Sequence, residues 1–257
     1  MGAELAVTRR LQQMVLPRAE ELAEIKCLDI ASFMEPATEV GGDYYDILQE
    51  NGRIKIGIGD VTGHGLESGV LMLMVQTAVR TLLSTHLEPK EFLSILNHAL
   101  YGNLQRMQSD KNLTLSLLDY DNGKLSLSGQ HEDILYVNQW GKIELIDTLP
   151  LGFMVGVEPN IDEFIAQREM NLSQGEGIVL YTDGITEAMN EEKQFYGLER
   201  LCQVVSEHWS QDATAIQQAV INDLRSHLGA RKLQDDITLL VIKQREVPKK
   251  DGLILPL

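Results

Sequence analysis

One stretch constrains this chain more than any other: Glu39 to Gly69, EVGGDYYDILQENGRIKIGIGDVTGHGLESG. It carries two glycine-flanked aspartates, Asp43 in Gly-Gly-Asp and Asp60 in Gly-Asp-Val-Thr-Gly-His-Gly. Between them Ile54, Ile56 and Ile58 alternate with the period of a half-buried strand. That strand is expected to end at Gly59, leaving Asp60 where strand turns into loop. Asp43 to Leu48 reads as its antiparallel partner, with Glu50-Asn51-Gly52 as the hairpin turn. A hairpin in that register brings Asp43 and Asp60 together at one end of a sheet. Carboxylates held side by side raise each other's pKa unless a cation lies between them. Glycines around them let the backbone approach an ion or a phosphate closely. The stretch therefore reads as a hard-metal site made of oxygens. Each motif alone also has a plainer reading, as a common turn or as a loop residue or helix N-cap after a strand.

Further along, the chain repeats this grammar. Ala3 to Leu16 is helical in character, with Val7, Leu11 and Met14 on one face and Pro17 as its stop. So short a helix needs a partner surface: its own domain, a second copy, or an upstream sensor. Leu28 to Phe33 reads as a strand leading towards Asp43. Leu66 to Leu83 is apolar nearly all round, as in a helix buried on most sides. Glu88-Pro89 opens a second helix, with Phe92, Leu96, Leu100, Leu104 and Met107 on one stripe. Strands are then expected at Leu113–Leu118, Lys124–Ser128, Ile134–Val137, Ile143–Ile146 and Phe164–Met170. The turn between the first two is Asp121-Asn122-Gly123. Ile178 to Tyr181 is a continuous apolar run, typical of a central strand, and it ends at Thr182-Asp183-Gly184. Helices near Leu198–Trp209 and Ala213–Leu228 precede a last strand, Ile237–Ile242, which follows Asp235-Asp236 directly. Residues 1–26 read as an N-terminal linker and regulatory helix, 27–245 as one domain, and 246–257 as a polar tail.

The charge balance narrows the partners. With 38 acidic against 22 basic residues, the net charge of -16 argues against nucleic acid or an anionic membrane. No apolar run is read as a membrane span and no signal-peptide pattern opens the chain, so a cytoplasmic protein, or a cytoplasmic portion of one, is expected. Cys27 and Cys202 lie in apolar-periodic segments without metal spacing and read as reduced core residues.

Asp43, Asp60, Asp183 and the Asp235-Asp236 pair thus each border an apolar strand and a turn. Converging without a cation, they would cost several kcal/mol in repulsion and desolvation. Oxygen-only ligands favour Mg2+ or Mn2+. Two such ions can clamp a phosphoryl group and activate a shared water, with Asp60 bridging them and the Val61 carbonyl adding a ligand.

The segments EVGGDYYD, GDVTGHGLESG, PLG, LYTDGITEA, YGLERL and DDITLLV, in this order, resemble the SpoIIE-like branch of the metal-dependent (PPM) Ser/Thr protein phosphatases. The resemblance spans roughly Leu28 to Lys243. It implies an α+β fold: two packed antiparallel sheets flanked by helices, an α-β-β-α sandwich with a dinuclear Mn2+/Mg2+ centre at one edge. By motif it makes Asp43, Asp60, Asp183 and Asp235 the metal carboxylates, with Asp236 as second choice beside Asp235. It further implies a phosphoserine or phosphothreonine substrate on a regulatory protein, of the STAS-type anti-sigma factor antagonist kind, in a bacterial partner-switching pathway. A signal entering through the N-terminal helix, commonly in a homodimer, is implied as well. Two departures stand out. Many relatives carry Ala-Gly-His followed by prolines, where this chain has Ser128-Gly129-Gln130-His131-Glu132-Asp133. Thr62-Gly63 also separate Asp60 from His64, which reads equally as a loop histidine or a proton donor. His86, His98, His208 and His227 lie in helical segments or their ends and read as structural. The rival readings are a non-catalytic phosphoprotein-binding module of the same fold and a hydrolase of small phosphoesters.

Overall fold

The computed structural model describes residues 14–37, 40–50, 52–85 and 87–245. The expected helix over Ala3–Leu16, apart from its last residues, and the tail from Glu246 fall outside these, as do Asn51 of the hairpin turn and His86.

Among the described residues ten strands form two five-stranded sheets whose paired neighbours are all antiparallel. The first contains β1 (Leu28–Glu35), β6 (Ile134–Val137), β7 (Ile143–Ile146), β9 (Gly177–Tyr181) and β10 (Ile237–Gln244), in the order β1-β10-β9-β6-β7. The second runs in chain order through β2 (Asp43–Glu50), β3 (Arg53–Val61), β4 (Leu113–Asp121), β5 (Lys124–Gln130) and β8 (Gln167–Asn171). The helices are α1 (Ala19–Glu24), α2 (Leu66–Leu83), α3 (Pro89–Met107), a single turn α4 (Asp183–Thr186), α5 (Leu198–His208) and α6 (Ala213–Leu228).

Strand alternation distributes the apolar side chains among three core layers. Ile178 and Leu180 of β9 and Leu240 and Ile242 of β10 meet Ile54, Ile56 and Ile58 of β3 between the sheets. Their neighbours Val179, Tyr181, Leu239 and Val241 face outward onto α5 and α6. Leu115 and Leu117 of β4 face outward onto α2 and α3. The result is the expected α-β-β-α sandwich.

Several expectations change. β3 is buried on both faces, rather than half-buried, because Gly57 and Gly59 occupy its outward positions under the helical layer. A Cβ at Gly57 would stand 2.9 Å from the Tyr44 ring. β3 also runs through to Val61, so Asp60 lies within the strand's last paired residues and not beyond it. β8 begins at Gln167 rather than Phe164, whose ring stacks on Phe153 at 4.7 Å. The polar helix α1 has no counterpart among the expected elements, yet its Leu22 and the following Ile25 enter the intersheet core. By length and composition α2 is apolar enough to cross a membrane, contrary to the sequence reading. In the fold its Leu71, Met72, Val75 and Val79 pack in the outer core of the second sheet. Helix limits follow the expected chemistry: Pro89 sits in the first turn of α3, and the Asp212 carboxylate accepts the Ala215 amide at the start of α6.

Candidate metal centre

The β2–β3 hairpin sets Asp43 directly opposite Asp60. β10 and β9 of the other sheet bring the remaining carboxylates to the same edge. The Thr182 amide donates to the Thr238 carbonyl at 3.1 Å, and the Thr238 amide to the Thr182 hydroxyl at 2.9 Å. Both hydroxyls then reach across between the sheets to Asp43 Oδ2, Thr182 Oγ1 at 2.9 Å and Thr238 Oγ1 at 2.5 Å. Asp43 is buried, so its orientation is held by two donors on the opposite sheet. These two threonines were not singled out from the sequence, although they stand inside the quoted Thr-Asp-Gly and Asp-Asp-Ile-Thr motifs.

Asp235 and Asp236 divide into different tasks. Asp236 is buried and accepts the Ala37 amide at 2.8 Å and the Gly42 amide at 2.7 Å, one on each oxygen. Its carboxylate therefore pins the Gly41-Gly42 loop. Asp235 is exposed, and one of its oxygens accepts the Asp236 amide at 2.8 Å. Asp183 opens α4, directly after the Thr182 that touches Asp43. Gly184 allows α4 to pack on β10, where a Cβ would collide with the Asp236 carbonyl.

Electrostatics records this convergence. Burial, then the charges of Asp183, Asp235 and Asp236, raise the Asp60 carboxyl to about 8. Burial and Asp60 push Asp43 well above the carboxylate range, against the two threonine hydroxyls. Burial, Asp235 and Glu187 raise Asp183. Asp236 is raised chiefly by burial, while the Ala37 and Gly42 amides oppose the shift. Glu132, half-buried, is raised by burial and by Asp183. Carboxylates raised by one another in this way are the donors a divalent ion would suit.

Room for an ion is visible at Gly42. A Cβ there would stand 2.6 Å from the Val61 carbonyl oxygen and 3.2 Å from Asp60 Oδ1, so the absent side chain keeps these two oxygens open. The donors are all oxygens, which suits Mg2+ or Mn2+. Among the described residues no three His, Cys, Asp or Glu side chains already stand as a closed metal-binding group. Asp43 and Asp236 have oxygens engaged by protein donors, and the fit rests on the open Gly42 space and on the repulsion.

A second connection, not anticipated, runs behind the carboxylates. The Thr114 hydroxyl lies 3.5 Å from the Asp60 carbonyl oxygen and 2.8 Å from His131 Nδ1. His131 Nε2 lies 3.2 Å from the Tyr181 carbonyl oxygen, two residues before Asp183. The His131 amide donates to Thr148 Oγ1 at 3.0 Å. Burial lowers the imidazole to about 4, so it is neutral at physiological pH. His131 is therefore a neutral strut between the sheets, at the place where the sequence departs from Ala-Gly-His. His64 and His98 are exposed. His208 Nδ1 lies 2.9 Å from the Val204 carbonyl oxygen, and His227 lies between Arg200 and the Gln194 carbonyl.

Two packed antiparallel sheets with a carboxylate-lined edge define a PP2C-like phosphatase domain. The chain belongs to the SpoIIE family: the model of Stage II sporulation protein E (SpoIIE) matches residues 50–245. The chain is accordingly a serine/threonine phosphatase of that type. It is 27% identical over 246 residues to the phosphoserine phosphatase RsbU of Bacillus subtilis (strain 168), covering 95% of this chain and 70% of that protein. Among solved structures it resembles the SiaA-PP2C domain of Pseudomonas aeruginosa, with a TM-score of 0.82 at 20% identity, covering 95% of this chain and 97% of that one. It also resembles RsbX in complex with magnesium, with a TM-score of 0.61 at 12% identity, covering 84% and 95% respectively. At such identities the structural likenesses speak to the fold.

Proposed function

We propose that this domain hydrolyses phosphoserine or phosphothreonine on a regulatory protein and depends on two Mn2+ or Mg2+ ions. The observation that carries the reading is Asp43 facing Asp60 across the hairpin, with Asp60 raised to about 8 by burial and by the charges of Asp183, Asp235 and Asp236. When bound, the ions supply an acidified water and a positive clamp on the phosphoryl group. Asp60 and the Val61 carbonyl would hold the ions, their oxygens lying side by side at Gly42. Asp43 is held for its role by Thr182 and Thr238. Asp183 and Asp235 complete the set. Asp236, the second choice beside Asp235, orients the Gly41-Gly42 loop instead. Support for the ions comes from the all-oxygen donor set and from the magnesium held by RsbX. The resemblance to RsbU supports a phosphoserine substrate, and we assign a STAS-type anti-sigma factor antagonist as its class. The 27–245 span is the catalytic unit in this proposal.

The test is turnover of a phosphoserine peptide and of a small-phosphoester panel, with Mn2+ and with a chelator. Asp60→Asn should lower Mn2+-dependent peptide turnover at least about a hundredfold, as when electrostatic stabilisation of a transferring group is lost. Near-normal turnover by the folded variant would remove the dinuclear reading.

A further inference from the structure

A groove of about 460 Å3 opens beside the carboxylate edge. Its position follows from two lining residues. Ile237 succeeds Asp236 in the chain, and Ala37 donates its amide to Asp236. The floor is apolar, made by Leu224 and Leu228 of α6 together with Leu233 and Ile237. The rim carries Arg225, Arg231 and Lys232 against the carboxylate of Glu35, with that of Glu191 at the Gly229 end, where it accepts the Ala230 amide at 3.2 Å. This reverses the sign of a chain whose formal charge is -16.

The three cations are not equivalent. Arg225 is paired with Glu35 at 3.1 Å, and its guanidinium lies 5.8 Å from the Phe33 ring centre. Arg231 donates to the Asn190 carbonyl at 2.9 Å, which fixes the turn after α6. Lys232 is exposed and makes no hydrogen bond or ion pair among the described residues. The carbonyl end of α6, which would otherwise repel an anion, is capped: Gly229 donates to the Arg225 carbonyl at 3.2 Å and Arg231 to that of Leu228 at 3.1 Å.

We infer that this groove docks an acidic segment of the phosphoprotein substrate, with an apolar side chain on the leucine floor and carboxylates at Lys232 and its basic neighbours. The inference rests on the phosphatase reading and extends it from the reacting phosphate to the flanking sequence. A basic segment would meet like charge at Arg231 and Lys232, and a purely apolar one would leave Lys232 without a partner. An acidic segment with one apolar anchor satisfies both surfaces.

Binding is separable from chemistry. The probes are two fluorescent, unphosphorylated peptides that share one leucine, the first rich in glutamate and the second with lysine at the same places. The parent chain and Lys232→Glu are each titrated by anisotropy at low and high salt. The parent should prefer the glutamate peptide, and Lys232→Glu should weaken it about tenfold, since an attraction becomes a repulsion at a solvent-exposed contact. Added salt should shrink that difference. With a phosphoserine joined to the glutamate segment, the variant should raise KM about tenfold and leave kcat unchanged. Hydrolysis of the unextended phosphopeptide should match the parent. Equal binding of the two peptides by the parent, or unaltered binding by Lys232→Glu, overturns the docking inference. Absence of hydrolysis of the unextended phosphopeptide by the parent instead overturns the phosphatase reading, and the anisotropy comparison still decides the groove.

Discussion

Removing the titrating carboxyl of Asp60 from the edge should stabilise the protein in chelator while ending its activity. The perturbation is Asp60→Asn, which preserves shape and removes the titrating group. In the folded, cation-free chain the Asp60 carboxyl is raised from 3.8 to about 8. The folded state therefore keeps a proton that the unfolded state releases above 3.8, and stability falls as pH rises from there towards 8. Each pH step costs at most ~1.4 kcal/mol, so near pH 7 the penalty has an upper bound of roughly 4 kcal/mol. Asp60 is only half-buried and its surroundings relax, which brings the expected gain of the variant to about 2 kcal/mol. For a chain of this size that is a rise in Tm of roughly 4–8 °C. The assay is thermal unfolding in chelator near pH 7 and near pH 4, repeated with Mn2+. In chelator the variant should melt above the parent near pH 7 and match it near pH 4. Mn2+ should raise the parent's Tm by mass action and raise the variant's less. A variant less stable than the parent in chelator near pH 7, or an advantage undiminished near pH 4, would refute the reasoning.

Two other perturbations follow from single contacts. His131 is lowered from 6.5 to about 4, so the neutral form it contributes is fully in place above 6.5, and that contribution is lost as pH falls from 6.5 to 4. Urea unfolding of His131→Gln should show a shallower acid loss over that window, by about 2 kcal/mol, and an identical slope would exclude the strut. Arg80 of α2 grips the buried Asp46 of β2 with Nε at 3.0 Å and Nη2 at 3.3 Å. Arg80→Met should cost about 2 kcal/mol, less than a fully buried pair because the Arg80 end is in water, and adding Asp46→Asn should recover part of it by the same unfolding measurement.

Much of the fold was legible because turns and caps carry local chemistry. The Asn-Gly dipeptides placed both hairpins of the second sheet, and Pro89 placed the start of α3. The failures have tertiary causes. Ile54, Ile56 and Ile58 announced one apolar face, but whether the other face meets water depends on the helical layer, and glycines at Gly57 and Gly59 leave no apolar signal. Phe164 looked like strand because it is apolar, whereas its ring is used to stack on Phe153 in a loop. Helix α1 went unread because six residues with one buried leucine carry too little periodicity. In the site, the aspartates were legible from their places beside strands and turns. The partners that orient them were not: Thr182 and Thr238 reach Asp43 across a sequence separation of 139 and 195 residues. The same holds for Asp236, whose engagement with the Ala37 and Gly42 amides separates it from Asp235 only once the sheets are packed.

The central claim is that these carboxylates gather around two cations, and anomalous diffraction at the manganese edge from crystals of this chain grown with Mn2+ tests it most directly. The account predicts two adjacent peaks lying among Asp43, Asp60, Asp183 and Asp235, with the Val61 carbonyl beside them and Asp236 still holding the Gly41-Gly42 loop. Manganese bound elsewhere on the chain, with no peak among these aspartates, would contradict it.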